Sequence, residues 1–119
     1  IAKVYYPGLP AHPGHAAARE QMRTPYGKSG FGGMVCFELV CKRFVKSFTE
    51  ILATYLELAV SFGSTKSMFS VPALQIHGSI SAEERTTLGI SDTLIRFSVG
   101  TEDFKDIKHA FQKAFKNLS

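Results

Sequence analysis

No stretch of this 119-residue chain is apolar for long enough to span a membrane, which takes about 20 consecutive residues. Cysteine is scarce, with only Cys36 and Cys41. Two cysteines do not staple a domain of this length, and neither has a histidine at zinc-finger spacing. The expectation is two free thiols in a reducing, cytoplasmic compartment, with Cys36 buried in its apolar run. There is no internal repeat and no low-complexity tract. The acidic residues show no spacing that suggests a carboxylate dyad. The first residues, Ile1-Ala2-Lys3-Val4, include no initiator methionine and lack the shape of a signal peptide, so a piece of a longer chain is expected.

What is present fits one domain, residues 1–119, with a real core. The hydrophobic share of 45% and charged share of 20% are those of an ordinary soluble globular protein. The net charge of +4 is mildly basic. It is compatible with nucleic-acid contact without requiring it.

Val4-Tyr5-Tyr6 is β-branched and aromatic and is stopped by Pro7-Gly8, so it predicts a short strand. His12-Pro13-Gly14-His15 leads into an alanine run that predicts a helix to Met22, with Pro13 in its first turn. Thr24 to Gly33 holds Pro25 and four glycines and predicts a loop. Met34 to Leu39 reads as a strand. Phe44, Phe48, Ile51, Leu52 and Tyr55 recur at helical spacing, predicting an amphipathic helix from Lys42 to about Thr54. Short strands are expected at Leu56–Val60 and at Ser67–Val71, the second ended by Pro72. Ser81-Ala82-Glu83-Glu84 fits a capping box opening a short helix that stops at Gly89. Thr93 to Val99 is a clear strand. A last helix follows Gly100-Thr101-Glu102-Asp103, with Phe104, Ile107, Phe111, Ala114, Phe115 and Leu118 as its apolar stripe and four lysines facing away. The fold class implied is α+β, an α/β sandwich with a small, mostly antiparallel sheet and helices packed on it.

Arg96 is the most informative single residue. Period-two alternation puts Ile95, Phe97 and Val99 on one face of its strand and Leu94, Arg96 and Ser98 on the other. A guanidinium there either reaches solvent, as on an edge strand, or meets an anion, because burying it unpaired is costly. Its planar fork matches a carboxylate. Ser61-Phe62-Gly63-Ser64 is a turn whose hydroxyls or N–H groups could meet a ligand, or an ordinary connection. Gly30-Phe31-Gly32-Gly33 lacks the Lys-Ser/Thr of a phosphate loop and precedes a strand, where a phosphate loop precedes a helix. Residues 28–37 partly mimic the aromatic strand of an RNA-recognition motif, but Gly33 falls where the first aromatic should stand. His12 and His15 lack further metal ligands at a convincing spacing. His77 and His109 are isolated.

Several stretches, in order, carry a resemblance. They are Tyr6-Pro7-Gly8-Leu9-Pro10, His12-Pro13-Gly14-His15 with Gln21-Met22, Gly30 to Leu39, Ala59-Val60-Ser61-Phe62-Gly63, Pro72-Ala73, His77, Glu83-Glu84-Arg85, Gly89 to Asp92, and Leu94 to Asp103. Together they resemble the C-terminal domain of the pyridoxal-phosphate (PLP) enzymes of cysteine and methionine metabolism, over nearly the whole chain. That family includes cystathionine γ-synthase, cystathionine β- and γ-lyases, methionine γ-lyase and O-acetylhomoserine sulfhydrylases.

The resemblance implies a fold-type I C-terminal domain and a sulfur-containing amino-acid substrate. It implies that Arg96 holds the substrate α-carboxylate and that Ser61 assists. It implies a homotetramer; no nucleic-acid and no membrane partner is expected. It also implies that PLP is bound mainly by residues outside this chain, in an upstream domain carrying the lysine, aspartate, tyrosine and phosphate ligands. This chain then holds no catalytic and no cofactor-binding residue of its own. Val60 stands where members acting on cystathionine often have glutamate, which leans toward a methionine γ-lyase-like or sulfhydrylase-like site. Lys66 and Ile76 depart from the family's pattern as well. The alternative function is a free-standing, non-catalytic binding module, with RNA as the candidate ligand.

Overall fold

The computed structural model describes residues 1–118. The chain runs β1 (Lys3–Tyr5), α1 (His15–Gln21), β2 (Met34–Glu38), α2 (Arg43–Leu52), β3 (Glu57–Leu58), β4 (Met68–Ser70), α3 (Ala82–Thr87), β5 (Leu94–Ser98) and α4 (Phe104–Lys116). The order is the expected one. The strands form one sheet, β1-β2-β5-β4-β3. Its pairings are antiparallel except β3 against β4, which is parallel. The fold is therefore α+β with a mostly antiparallel sheet.

Alternation along β5 buries Ile95 and Phe97 on one face. The register sets Phe37 opposite Ile95 and Phe69 opposite Phe97, so this face is apolar across the three inner strands. Helices α2 and α4 cover it with Val45, Phe48 and Leu52 from one and Ile107, Ala110 and Ala114 from the other. Rings pack tilted or edge-on, with centroids 4.9 Å apart for Phe97–Phe111 and for Phe48–Phe115. Each fully buried phenylalanine contributes about 1.5–3 kcal/mol. No helix among the described residues is long and apolar enough to cross a membrane.

The helix ends follow local chemistry. Ser81 and Glu84 form the expected capping box at α3, and the Asp103 carboxylate accepts the Lys105 N–H at 2.7 Å to start α4. Asp92 accepts from Lys42 at 2.6 Å and from Arg85 at 3.0 Å, tying α3 to the chain just before α2. Both bonds hold the Asp92 carboxyl below the usual carboxylate range, the Lys42 bond foremost.

Three local expectations are corrected. Pro13 lies outside α1, whose N-cap is Gly14. The His12 ring nitrogen accepts the Gly14 N–H at 3.0 Å and shapes that entry instead. Phe104 is exposed because it is the first helical residue, beyond the sheet's reach, and Ala110 takes a place in the stripe. Val99 leaves the core face because β5 ends at Ser98, and its N–H donates to the Gly33 carbonyl.

Candidate anion site around Arg96

Strand β5 is the central strand of the sheet, flanked by β2 and β4. Arg96 is therefore not at an edge. It sits between Cys36 on β2 and Ser70 on β4, on the face opposite the core. Along that face Met34, Cys36, Glu38, Leu94 and Arg96 are all half-buried. Arg96 Nε donates to Met34 Sδ at 3.2 Å, and its Nη2 donates to the Ser61 carbonyl at 2.8 Å. The Phe62 ring covers the guanidinium, its centroid 4.3 Å from Cζ. Among the described residues no carboxylate pairs with Arg96, whereas Arg85 is paired with Asp92. A half-buried cation without a counter-ion is a place where an anion is stabilised.

The segment that brings Ser61 to Arg96 is the return connection from β3 to its parallel neighbour β4. Two parallel strands cannot be joined by a tight hairpin, so the chain must travel back along the sheet. The Ser61 hydroxyl accepts the Gly63 N–H at 3.1 Å, forming a local turn. Gly63 has φ +153°, a region that side-chain-bearing residues rarely adopt.

The far end of this loop is anchored by Glu102, whose carboxylate accepts the Ser67 N–H at 2.6 Å and the Ser67 hydroxyl at 2.7 Å. Gly100 N–H donates to the same hydroxyl at 2.8 Å. These bonds, the Ser67 N–H first, hold the Glu102 carboxyl below the usual carboxylate range. Gly100 is required by proximity, since a Cβ there would run into the Ser67 nitrogen and the Lys66 carbonyl carbon.

A hollow of about 550 Å³ opens next to Met34 and Phe62, lined also by Met22, Phe31 and Ser64, and neither Arg96 nor Ser61 lines it. No lysine lines it. Cys36 is half-buried, not buried as expected, because it shares the polar face with Arg96. Burial pushes its thiol pKa up, and the Arg96 charge pulls it partly back.

The remaining candidates lie apart in role. His15 stacks on Phe31 with centroids 5.3 Å apart and contacts the Pro7 carbonyl, while His12 serves the turn before α1, so the two do not act as a pair. Among the described residues no group of three metal-ligating side chains forms. Lys66 lies 3.8 Å from Glu57, both well exposed. Phe37 is 4% exposed under α2 and α4, so it is not an aromatic standing on an open sheet for a base to stack on.

Arg96 and Ser61 are thus brought together, through the serine's backbone carbonyl. The contacts that sequence reasoning missed are Met34, Phe62 and Glu102. Met34 and Phe62 stood inside stretches singled out for resemblance, but nothing in their spacing tied them to Arg96.

Residues 1–116 match the family described as Cys/Met metabolism PLP-dependent enzyme, and the chain belongs to that family. It is 48% identical over 117 residues to the cystathionine beta-lyase of Lactococcus lactis subsp. cremoris (strain MG1363), covering 95% of this chain and 29% of that protein. Cystathionine gamma synthase from Xanthomonas oryzae pv. oryzae, solved in complex with cystathionine, has a similar structure, with a TM-score of 0.81 and 38% identity over 98% of this chain and 28% of that one. Cystathionine gamma-lyase from Lactobacillus plantarum, complexed with L-serine, also gives 0.81, at 35% identity over 99% and 29%. The chain spans less than a third of the length of these relatives. Their names are those of cystathionine enzymes, so the lean drawn from Val60 has no counterpart among them.

Proposed function

We propose that this chain is the C-terminal, substrate-binding domain of a PLP-dependent lyase or transferase of sulfur-containing amino acids, with Arg96 holding the substrate α-carboxylate and Ser61 assisting. The observation that supports this most is the half-buried guanidinium with no paired carboxylate among the described residues and part of its fork free. Of its five N–H groups, one on Nε and one on Nη2 are engaged, and Nη1 has no acceptor among the described residues. Nη1 together with the second N–H of Nη2 can give a carboxylate two parallel hydrogen bonds. The Ser61 hydroxyl accepts from Gly63 and still has its own proton to donate.

PLP does not fit the described residues by themselves, because the hollow next to Met34 and Phe62 has no lysine to carry it. The cofactor's ligands belong, on this reading, to a larger domain upstream. When bound, PLP supplies the electron sink that makes bonds at the substrate α-carbon labile. The role left to Arg96 and Ser61 is to fix which way the amino acid lies. The names of the relatives bring cystathionine into the substrate class. The same reading carries the expectation of a cytoplasmic homotetramer.

The test is steady-state kinetics on the full-length protein with a sulfur amino acid such as cystathionine. Losing a charge-assisted contact worth about 1.5–3 kcal/mol predicts that Arg96→Ala raises KM by about 10- to 150-fold. An unchanged KM and turnover would overturn the assignment.

A further inference from the structure

We infer that Phe62 is a positioning residue for the carboxylate site, its ring holding the plane of the Arg96 guanidinium; this rests on the reading of Arg96 as the carboxylate anchor. The two hydrogen bonds to Arg96, from Nε to Met34 Sδ and from Nη2 to the Ser61 carbonyl, both fall on the inner part of the fork. They fix its position along the strand but leave it free to tilt about the line between them. A ring lying 4.3 Å from Cζ opposes that tilt, because a planar cation is attracted to an aromatic face. What then remains to offer a ligand is the outer edge of the fork, Nη1 with the second N–H of Nη2, held in one orientation.

Phe62 does not do this as a by-product of folding. It is 87% exposed and belongs to no part of the hydrophobic core. The contact with Arg96 is a specific placement made by the β3–β4 loop, whose anchor at Ser67–Glu102 lies outside the ring's own contacts. Replacing the ring therefore removes the clamp and leaves the fold intact.

The experiment measures KM and kcat for a sulfur amino acid with full-length Phe62→Leu, Phe62→Tyr and Arg96→Ala, and Phe62→Leu combined with Arg96→Ala, with the thermal midpoint of each. Phe62→Leu keeps apolar bulk and loses the aromatic face, so KM rises about 2- to 6-fold at an unchanged midpoint, as expected for an exposed cation–π contact. Phe62→Tyr restores the normal KM. In the Arg96→Ala background Phe62→Leu adds nothing, since the partner is gone. A normal KM for Phe62→Leu, a Phe62→Tyr variant as impaired as Phe62→Leu, or additive effects in the double variant would each overturn the inference while Arg96→Ala still raises KM. If Arg96→Ala itself leaves KM unchanged, the carboxylate reading falls and the role of Phe62 with it.

Discussion

The two faces of one five-stranded sheet are built to opposite rules. On one, Phe37, Phe69, Ile95 and Phe97 are buried under two helices, in one apolar cluster. On the other, one residue along the same strands, a cation stands with a thioether, a carbonyl and an aromatic ring around it and no paired carboxylate among the described residues. The first face supplies the folding free energy. The second uses some of the rigidity this creates to keep a charge half out of water. The packed core and the proposed ligand site are thus separated by the alternation of the β-strand, and substitutions on the two faces should be separable in the same way.

The largest expected effect is on the packed face. Phe48→Ala empties a site with no exposed surface and should destabilise the fold by about 3–5 kcal/mol, read as a lower thermal or urea midpoint. A loss below about 1 kcal/mol would mean that the two helices do not hold the sheet as described. Gly100→Ala comes next. It forces a methyl group against the Ser67 backbone at the loop anchor, with an expected cost of about 1–3 kcal/mol from overpacking. A wild-type midpoint would show that the Gly100–Ser67 approach is not tight.

The smallest effect concerns Glu102. Its carboxyl pKa is lowered by the Ser67 bonds, so the folded state favours the charged form. That contribution is complete above the ordinary carboxylate pKa of about 4.3 and is lost as the pH falls through the lowered folded value. Glu102→Gln should lower the midpoint near neutral pH, with the gap closing toward pH 3. Parallel profiles for the two proteins would contradict the linkage.

Much of the packed face was legible in the chain itself. Helical spacing from Phe44 to Leu52 and alternation from Leu94 to Phe97 mark elements whose burial is set by their own periodicity, and the order of all nine elements follows from such local signals; Tyr55, at the end of the first pattern, lies beyond α2 and is exposed. Pairing was harder to read. That β5 is central, and that β3 runs parallel to β4, depends on contacts between residues far apart in sequence, which no local pattern encodes. Phe104 shows the same limit, since its spacing fits the stripe but its position at the start of α4 leaves it beyond the sheet. Arg96 was conspicuous because a charge in an apolar strand must be explained. Phe62 was not, because an aromatic in a turn looks like any exposed apolar residue until the guanidinium beneath it is seen.

The central place of β5 has a consequence for how the molecule comes into being. During synthesis β1 and β2 leave the ribosome early, and β3 and β4 follow, but neither pair touches the other in the finished sheet; each borders only β5. Until residues 94–98 are available there are two separate ribbons, each too small to be stable alone. The strand that joins them is the one that bears Arg96. Completion of the sheet and installation of the cation are one event, so the proposed anion site cannot form before all five strands are joined.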